Sequence, residues 1–180
     1  IRLFREVTLK GRDIKMSTVP LILMSYRSPK KAFVTKLSEG VSETKIFIWL
    51  FVSCFLSFLA RLPLLSREMH LNVDSPPFES MIAGILVSSL FMAPLFFYGL
   101  SVILCLIFRF WFKGLKWFYF RSAFFWSLLA ISPLVLIRGA LVGITGANPY
   151  ITLISISVFL YLIFLLVSSV TTITKVMDVS

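Results

Sequence analysis

One histidine, two cysteines and eight carboxylates are all that this 180-residue sequence holds of the side chains that usually carry chemistry. A zinc site draws three or four ligands from Cys, His and carboxylates. His70 has Glu68, Asp74 and Glu79 in its segment but no second His and no Cys beside it, so no metal is expected. Cys54 and Cys105 fall at different points of successive apolar runs, and a disulfide needs Cα atoms within about 7 Å. They read as two small buried hydrophobes. Walker loop, HExxH and nucleophile elbow are all missing. The four long apolar runs contain no Asp, Glu, His or Lys. Intramembrane ionisable groups mark proton and ion paths, so neither a pump nor a catalytic constellation is expected. The reading is a protein that is not an enzyme and has no cofactor.

What the sequence has in abundance is apolar surface. Hydrophobic residues make up 58%, 19 residues are Phe, and the mean hydropathy is +0.95. Globular domains hold roughly 45–50% apolar residues, so a soluble fold is excluded. The formal net charge of +10 could suggest nucleic acid, but its distribution argues otherwise. Ten of the 18 Lys and Arg precede Ile46, and four more lie between Arg109 and Arg121. Polybasic flanks beside hydrophobic spans are attracted to an anionic cytoplasmic leaflet by about 1 kcal/mol per residue. Membrane lipids are therefore the expected partners of this charge, and nucleic acid is not.

A basic, aromatic band organises the chain: Arg109, Trp111, Lys113, Lys116, Trp117, Tyr119 and Arg121. It leads directly into the apolar run 122–137. Trp and Tyr favour the headgroup level and Lys and Arg the cytoplasmic side of short loops, so the chain turns here and re-enters the bilayer. Apolar runs at 46–65, 81–108, 122–137 and 151–170 then give four spans, and the twenty residues of the first are about enough to cross roughly 30 Å of hydrocarbon. Counting Lys and Arg on each side puts both termini in the cytoplasm. The expected fold is an all-α integral membrane protein with four transmembrane helices and a short amphipathic N-terminal helix.

Residues 1–15 lack the apolar core of a signal peptide. Met16, followed by Ser17 and Thr18, reads as a start, with 1–15 as upstream or appended sequence. Residues 16–45 form a basic cytoplasmic segment, 46–175 the four-helix membrane domain and 176–180 a tail. Within 16–45, Ser28-Pro29 supplies an N-cap and first-turn proline, and Phe33, Leu37 and Val41 recur every four residues. A helix lying on the membrane surface is expected there, stopped at Gly40. Ser42 caps the first span, and Pro63 loosens its last turn. The run 81–108 is too long for the core, so either Pro94 breaks it or its first turns project. Residues 138–150, despite Gly139 and Gly143, read as a weakly helical connector.

Candidate sites are of two kinds. Gly84 with Ser88, and the stripe Ala123, Ser127 and Ala130, are small residues that let helices approach closely. Arg109, Lys113, Lys116 and Arg121 are candidates for lipid-headgroup contact.

Several stretches together resemble the Yip (Ypt-interacting-protein-like) family of multi-span membrane proteins, in its short alphaproteobacterial form. They are Ser25-Tyr26-Arg27-Ser28-Pro29, Arg67-Glu68-Met69-His70-Leu71, Met92-Ala93-Pro94-Leu95, and Arg121-Ser122-Ala123-Phe124-Phe125-Trp126 continuing through Pro133 to Gly139. The resemblance covers roughly residues 16–170 and agrees with a start at Met16. It implies a bacterial inner-membrane protein. Eukaryotic members act in vesicle trafficking and small-GTPase binding and usually have five spans. This chain departs from them in having four, and the resemblance carries no functional residue over.

These readings lead to an expected structural or interaction role, as a protein that assembles with itself or as an accessory subunit of a larger membrane complex. The alternatives are a transporter or channel component, with a path along Ser88, Ser122 and Ser127, and a protein that organises anionic lipids through the basic band.

Overall fold

The computed structural model describes residues 18–71, 77–111, 116–146 and 148–177. The expected upstream segment 1–15, Met16 and Lys113 lie outside the described residues. Among those described there is no strand. The elements are α1 (Thr18–Arg27), α2 (Pro29–Ser38), α3 (Glu43–Leu59), α4 (Leu62–Leu71), α5 (Phe78–Val87), a π-turn (Ser88–Met92), α6 (Ala93–Trp111), α7 (Trp117–Thr145) and α8 (Pro149–Met177). They make four segments long and apolar enough to cross a membrane: Glu43–Leu71, Phe78–Phe110, Trp117–Thr145 and Pro149–Thr174.

Local chemistry explains the boundaries. Ser42 Oγ accepts the Lys45 N–H and caps α3, which satisfies one of the donors a helix start leaves free. Asn148 Oδ1 does the same for Ile151 N–H at α8, with Pro149 at the first helical position. Gly40, at φ +78°, ends the hairpin helix α2 with its N–H on the Leu37 carbonyl.

Prolines account for the interruptions. Pro63 has no N–H for the Leu59 carbonyl. The helix breaks at Ala60–Arg61 and resumes as α4, so residues 62–71 are helical and the outer loop starts later than the apolar run suggests. Pro94 does not break its run. The helix widens to a π-turn over Ser88–Met92 just before it and continues as α6. A π-turn of this kind relieves the clash between a proline ring and the carbonyl four residues earlier. The 33-residue segment Phe78–Phe110 is thus about 50 Å long at 1.5 Å per residue.

The central post is α7. From Ser122 to Ser132 every residue is buried, whichever way it points. A helix apolar all round belongs inside a bundle, and here α3, α6, α8 and the α1–α2 hairpin surround it. α3–α4 runs parallel to α7. Glu43 pairs with Arg121, Trp49 meets Trp126 edge-on at 5.3 Å, and Arg67 reaches the Ile144 carbonyl at 2.7 Å. α8 returns antiparallel, with Arg138 Nε donating to Ser155 Oγ at 2.6 Å. Large apolar side chains on the outer faces, such as Phe51, Phe91, Leu95, Phe110, Leu153 and Phe159, are exposed. This is the surface a lipid-facing bundle presents.

The stretch read as a connector, 138–150, is mostly the last turns of α7, which continues to Thr145. The reason is tertiary. A Cβ built on Gly139 would stand 2.0 Å from the Ala60 carbonyl oxygen, and one on Gly143 would stand 2.4 Å from Pro63 Cβ. The two glycines form a notch that receives the α3–α4 break at backbone contact. Arg67 then covers the end of α7 by donating to its last carbonyls, a favourable place for a cation. Gly146, at φ +76°, leaves room for that guanidinium.

The N-terminal region also differs from expectation. It forms two helices, not one, and Ser28-Pro29 is the joint between them. Phe33 is fully buried, and Lys36 is packed inward on Glu39 at 2.9 Å and Thr18 Oγ1 at 3.4 Å. The pair is an antiparallel hairpin set against α7 and α8. A four-residue apolar period alone does not distinguish a face laid on lipid from one laid on protein.

Candidate functional site

Polar groups converge where the α1–α2 hairpin meets the proline break of α7. Pro133 leaves the Leu129 carbonyl without its helical donor and weakens the next bond. Ser132 Oγ donates to Leu129 O at 2.8 Å, and Tyr26 Oη, from α1, donates to Ala130 O at 2.8 Å. Tyr161 of α8 stacks on Tyr26 with ring centroids 6.0 Å apart and donates to the Ser25 carbonyl at 3.4 Å. Ala130 lies near the middle of α7 and Tyr161 near the middle of α8. The apex of the hairpin therefore reaches the mid-height of the bundle, while Thr18 and Lys36 sit toward the Glu43 end. Replacing Tyr26 with Phe removes the donor to Ala130 and is expected to lower stability by about 1 kcal/mol, measured by thermal unfolding in detergent. An unchanged midpoint would show the bond to be immaterial.

A second cluster lies at the Glu43 end. Arg121 Nη2 pairs with Glu43 Oε2, and the guanidinium carbon stands 5.7 Å over the Tyr98 ring. The Arg121 side chain is only 14% exposed. Of the residues expected at lipid headgroups, Arg121 is engaged within the chain, whereas Arg109 and Lys116 are exposed at the same end. Arg138 lines a cavity of about 500 Å³ with Leu64, Asn148, Thr152 and Ser155.

The small-residue candidates separate into two groups. Ala123, Ser127 and Ala130 are all buried in the core of the bundle. Gly84 and Ser88 face outward, and nothing lies within 4 Å of a Cβ placed on Gly84. The glycines that make the close contact are Gly139 and Gly143. Their spacing was visible in the sequence, but the break they fit into was not. Tyr161, a single tyrosine in an apolar stretch, has no spacing to read, and Tyr26 stood out in the sequence only as part of Ser25-Tyr26-Arg27-Ser28-Pro29, with nothing to show its partner.

The chemistry of these groups is hydrogen bonding and charge pairing. Ser122 and Ser127 donate to the Tyr119 and Ala123 carbonyls of their own helix. No group of three or more His, Cys, Asp or Glu side chains comes together among the described residues. Both cysteines are buried and unpaired.

The architecture defines a class: a helical protein with four segments able to span a membrane. No family model matches the chain, and no curated protein or solved structure matches it either.

Proposed function

We propose that this chain is a small polytopic protein of the bacterial inner membrane, similar to the Yip family, with a structural and interaction role. It assembles with itself or as an accessory subunit of a larger membrane complex, and it has no catalytic activity. The positive-inside bias supports cytoplasmic termini, with the Glu43 end of the bundle on that side.

The observation that carries the reading is the outward face of α5. The apolar core of segment Phe78–Phe110 is 11% buried, against 39% for the first and third segments. Its small-residue pair Gly84 and Ser88 is open to the outside. Such pairs let a second helix come close enough for backbone packing. Extraction into native-lipid particles followed by mass measurement is expected to show assemblies larger than the monomer. Exchanging Gly84 and Ser88 for leucine is expected to yield monomer without lowering the melting temperature. A lone monomer from the native chain would overturn the reading, and co-purifying proteins identified by mass spectrometry would name a larger complex.

Two other readings differ in support. Exposed Arg109 and Lys116 at the proposed cytoplasmic end favour contact with anionic lipids, for which ordinary anchoring suffices. A transport role has less support, because Ser122 and Ser127 are buried with their hydroxyls returned to their own helix.

A further inference from the structure

The continuation of α7 to Thr145 places Arg138 inside a helix, seven residues before its end. At 1.5 Å per residue that is about 10 Å below the end. The whole of Trp117–Thr145 measures about 44 Å by the same rise, against about 30 Å of hydrocarbon. Roughly 7 Å therefore project on each side, and the Arg138 backbone stands a few Å inside the apolar layer. An arginine at that depth needs a partner for its charge. Among the described residues the ion pairs are Lys36–Glu39 and Arg121–Glu43, so no carboxylate meets it. At the same end of the bundle, Arg67 is held on the Gly143 and Ile144 carbonyls and Arg61 is exposed.

Ser155 fixes where the Arg138 charge points. Its hydroxyl donates to the Ile151 carbonyl at 2.7 Å and accepts from Arg138 Nε at 2.6 Å. Nη1 and Nη2 make no hydrogen bond among the described residues, and both remain accessible at the wall of the cavity of about 500 Å³ between α4, α7 and α8. That volume lies within the roughly 300–1,000 Å³ of ligand sites. A guanidinium pinned at Nε, with its terminal nitrogens free, is a fork that grips an oxyanion through paired hydrogen bonds. The start of α8 is not itself the site, because Asn148 Oδ1 already caps it.

The α8 wall of the cavity is graded along one face. Asn148, Thr152 and Ser155 line the turns nearest the helix start, and Ile156 and Phe159 follow toward the middle of the bundle. Ile156 and Phe159 are exposed, so the cavity opens sideways to lipid below its polar part. We propose that it seats an anionic phospholipid, with the phosphate on the Arg138 fork and an acyl chain along Ile156 and Phe159. Free phosphate offers the same oxyanion but leaves the apolar part of the cavity unfilled. The site is at the end of the bundle opposite Arg109 and Lys116, and it does not depend on how the chain assembles.

Native mass spectrometry of the full chain in neutral detergent, offered equal amounts of phosphatidylglycerol and phosphatidylcholine, tests this. The native chain is expected to retain more phosphatidylglycerol. Arg138→Gln is expected to lower the ratio of the two retained lipids about fivefold, the scale set by one cation near an anionic headgroup, with no change in melting temperature. Arg61→Gln removes the same charge at the same end but outside the cavity, and is expected to leave the ratio nearly unchanged. Ser155→Ala, which keeps the charge and releases Nε, is expected to lower it in part. An unchanged ratio in Arg138→Gln would overturn the proposal, and so would an equal fall in Arg61→Gln, which would make the effect ordinary charge anchoring. Should Arg138→Gln fail to fold, Ser155→Ala decides, and an unchanged ratio there overturns the proposal. Binding of inorganic phosphate that requires Arg138, with the two lipids retained equally, would overturn the lipid and give the site to a free oxyanion.

Discussion

Gly139→Ala is expected to destabilise the protein by about 2–3 kcal/mol, the upper part of the range for forcing atoms into a packed interior. The added methyl would meet the Ala60 carbonyl oxygen at 2.0 Å and the Ala60 Cα at 2.9 Å. These are backbone atoms of the α3–α4 break, so no side-chain rotation relieves the clash. Either α7 moves away from the break or the break itself is redrawn, and both separate Arg67 from the carbonyls it covers. Gly143→Ala meets Pro63 in the same way, with contacts of 2.4 Å to its Cβ and 2.9 Å to its carbonyl carbon. Gly84→Ala is the internal comparison. Its methyl enters open space, and alanine is the better helix former by about 1 kcal/mol. Unfolding in mixed micelles should rank Gly84→Ala at or above the native chain and Gly139→Ala well below it. Equal stability of the two variants would mean that the notch does not hold the bundle together.

Trp126→Ala is expected to cost about 3–5 kcal/mol, the usual range for removing a large aromatic from a core. Trp126 is among the largest fully enclosed side chains, meeting Trp49 edge-on at 5.3 Å and 66°. In a bilayer, helices associate through packing, without the exclusion of water that drives soluble cores. The loss therefore comes mainly from the cavity and the vanished ring contact, which points to the lower half of that range. Trp117, 39% exposed at the start of the same helix, provides the contrast. Its replacement by alanine should shift the unfolding midpoint little. If Trp117→Ala proved as damaging as Trp126→Ala, α7 would not be the central post.

The two effects share an origin. α7 is gripped at one end by aromatic packing and at the other by backbone contact at the glycine notch. Between them, the proline break is closed by Ser132 and Tyr26. Each device meets a requirement that the helix cannot satisfy alone. A proline leaves a carbonyl without its donor, and a helix buried on every side has no polar face to orient it.

Much of this architecture follows from composition and period. Apolar runs near the length of a bilayer core, separated by Lys, Arg, Trp and Pro, specify membrane-spanning helices with little help from context, because an unpaired peptide group in hydrocarbon costs several kcal/mol. Four such segments are present. Ser42 as a cap and Gly40 as a stop are equally local, and the structure has both.

Other features were decided only by the tertiary structure. Pro63, near the end of its apolar run, breaks its helix, whereas Pro94, in the middle of its run, is absorbed by a π-turn. The outcome depends on whether a neighbour such as α7 occupies the break. Gly139 and Gly143 carry the same spacing whether they lie in a connector or a helix contact, and Ala60 opposite them settles the matter. The apolar face of α2 fits a membrane surface and a protein surface alike, and α8 and α1 take it up. The sequence by itself determined that this chain is a bundle of helices suited to a bilayer, because hydrophobic length and backbone satisfaction are properties of each segment alone. The tertiary structure decided which glycines touch and which tyrosine closes the proline break, because those depend on partners distant in the chain.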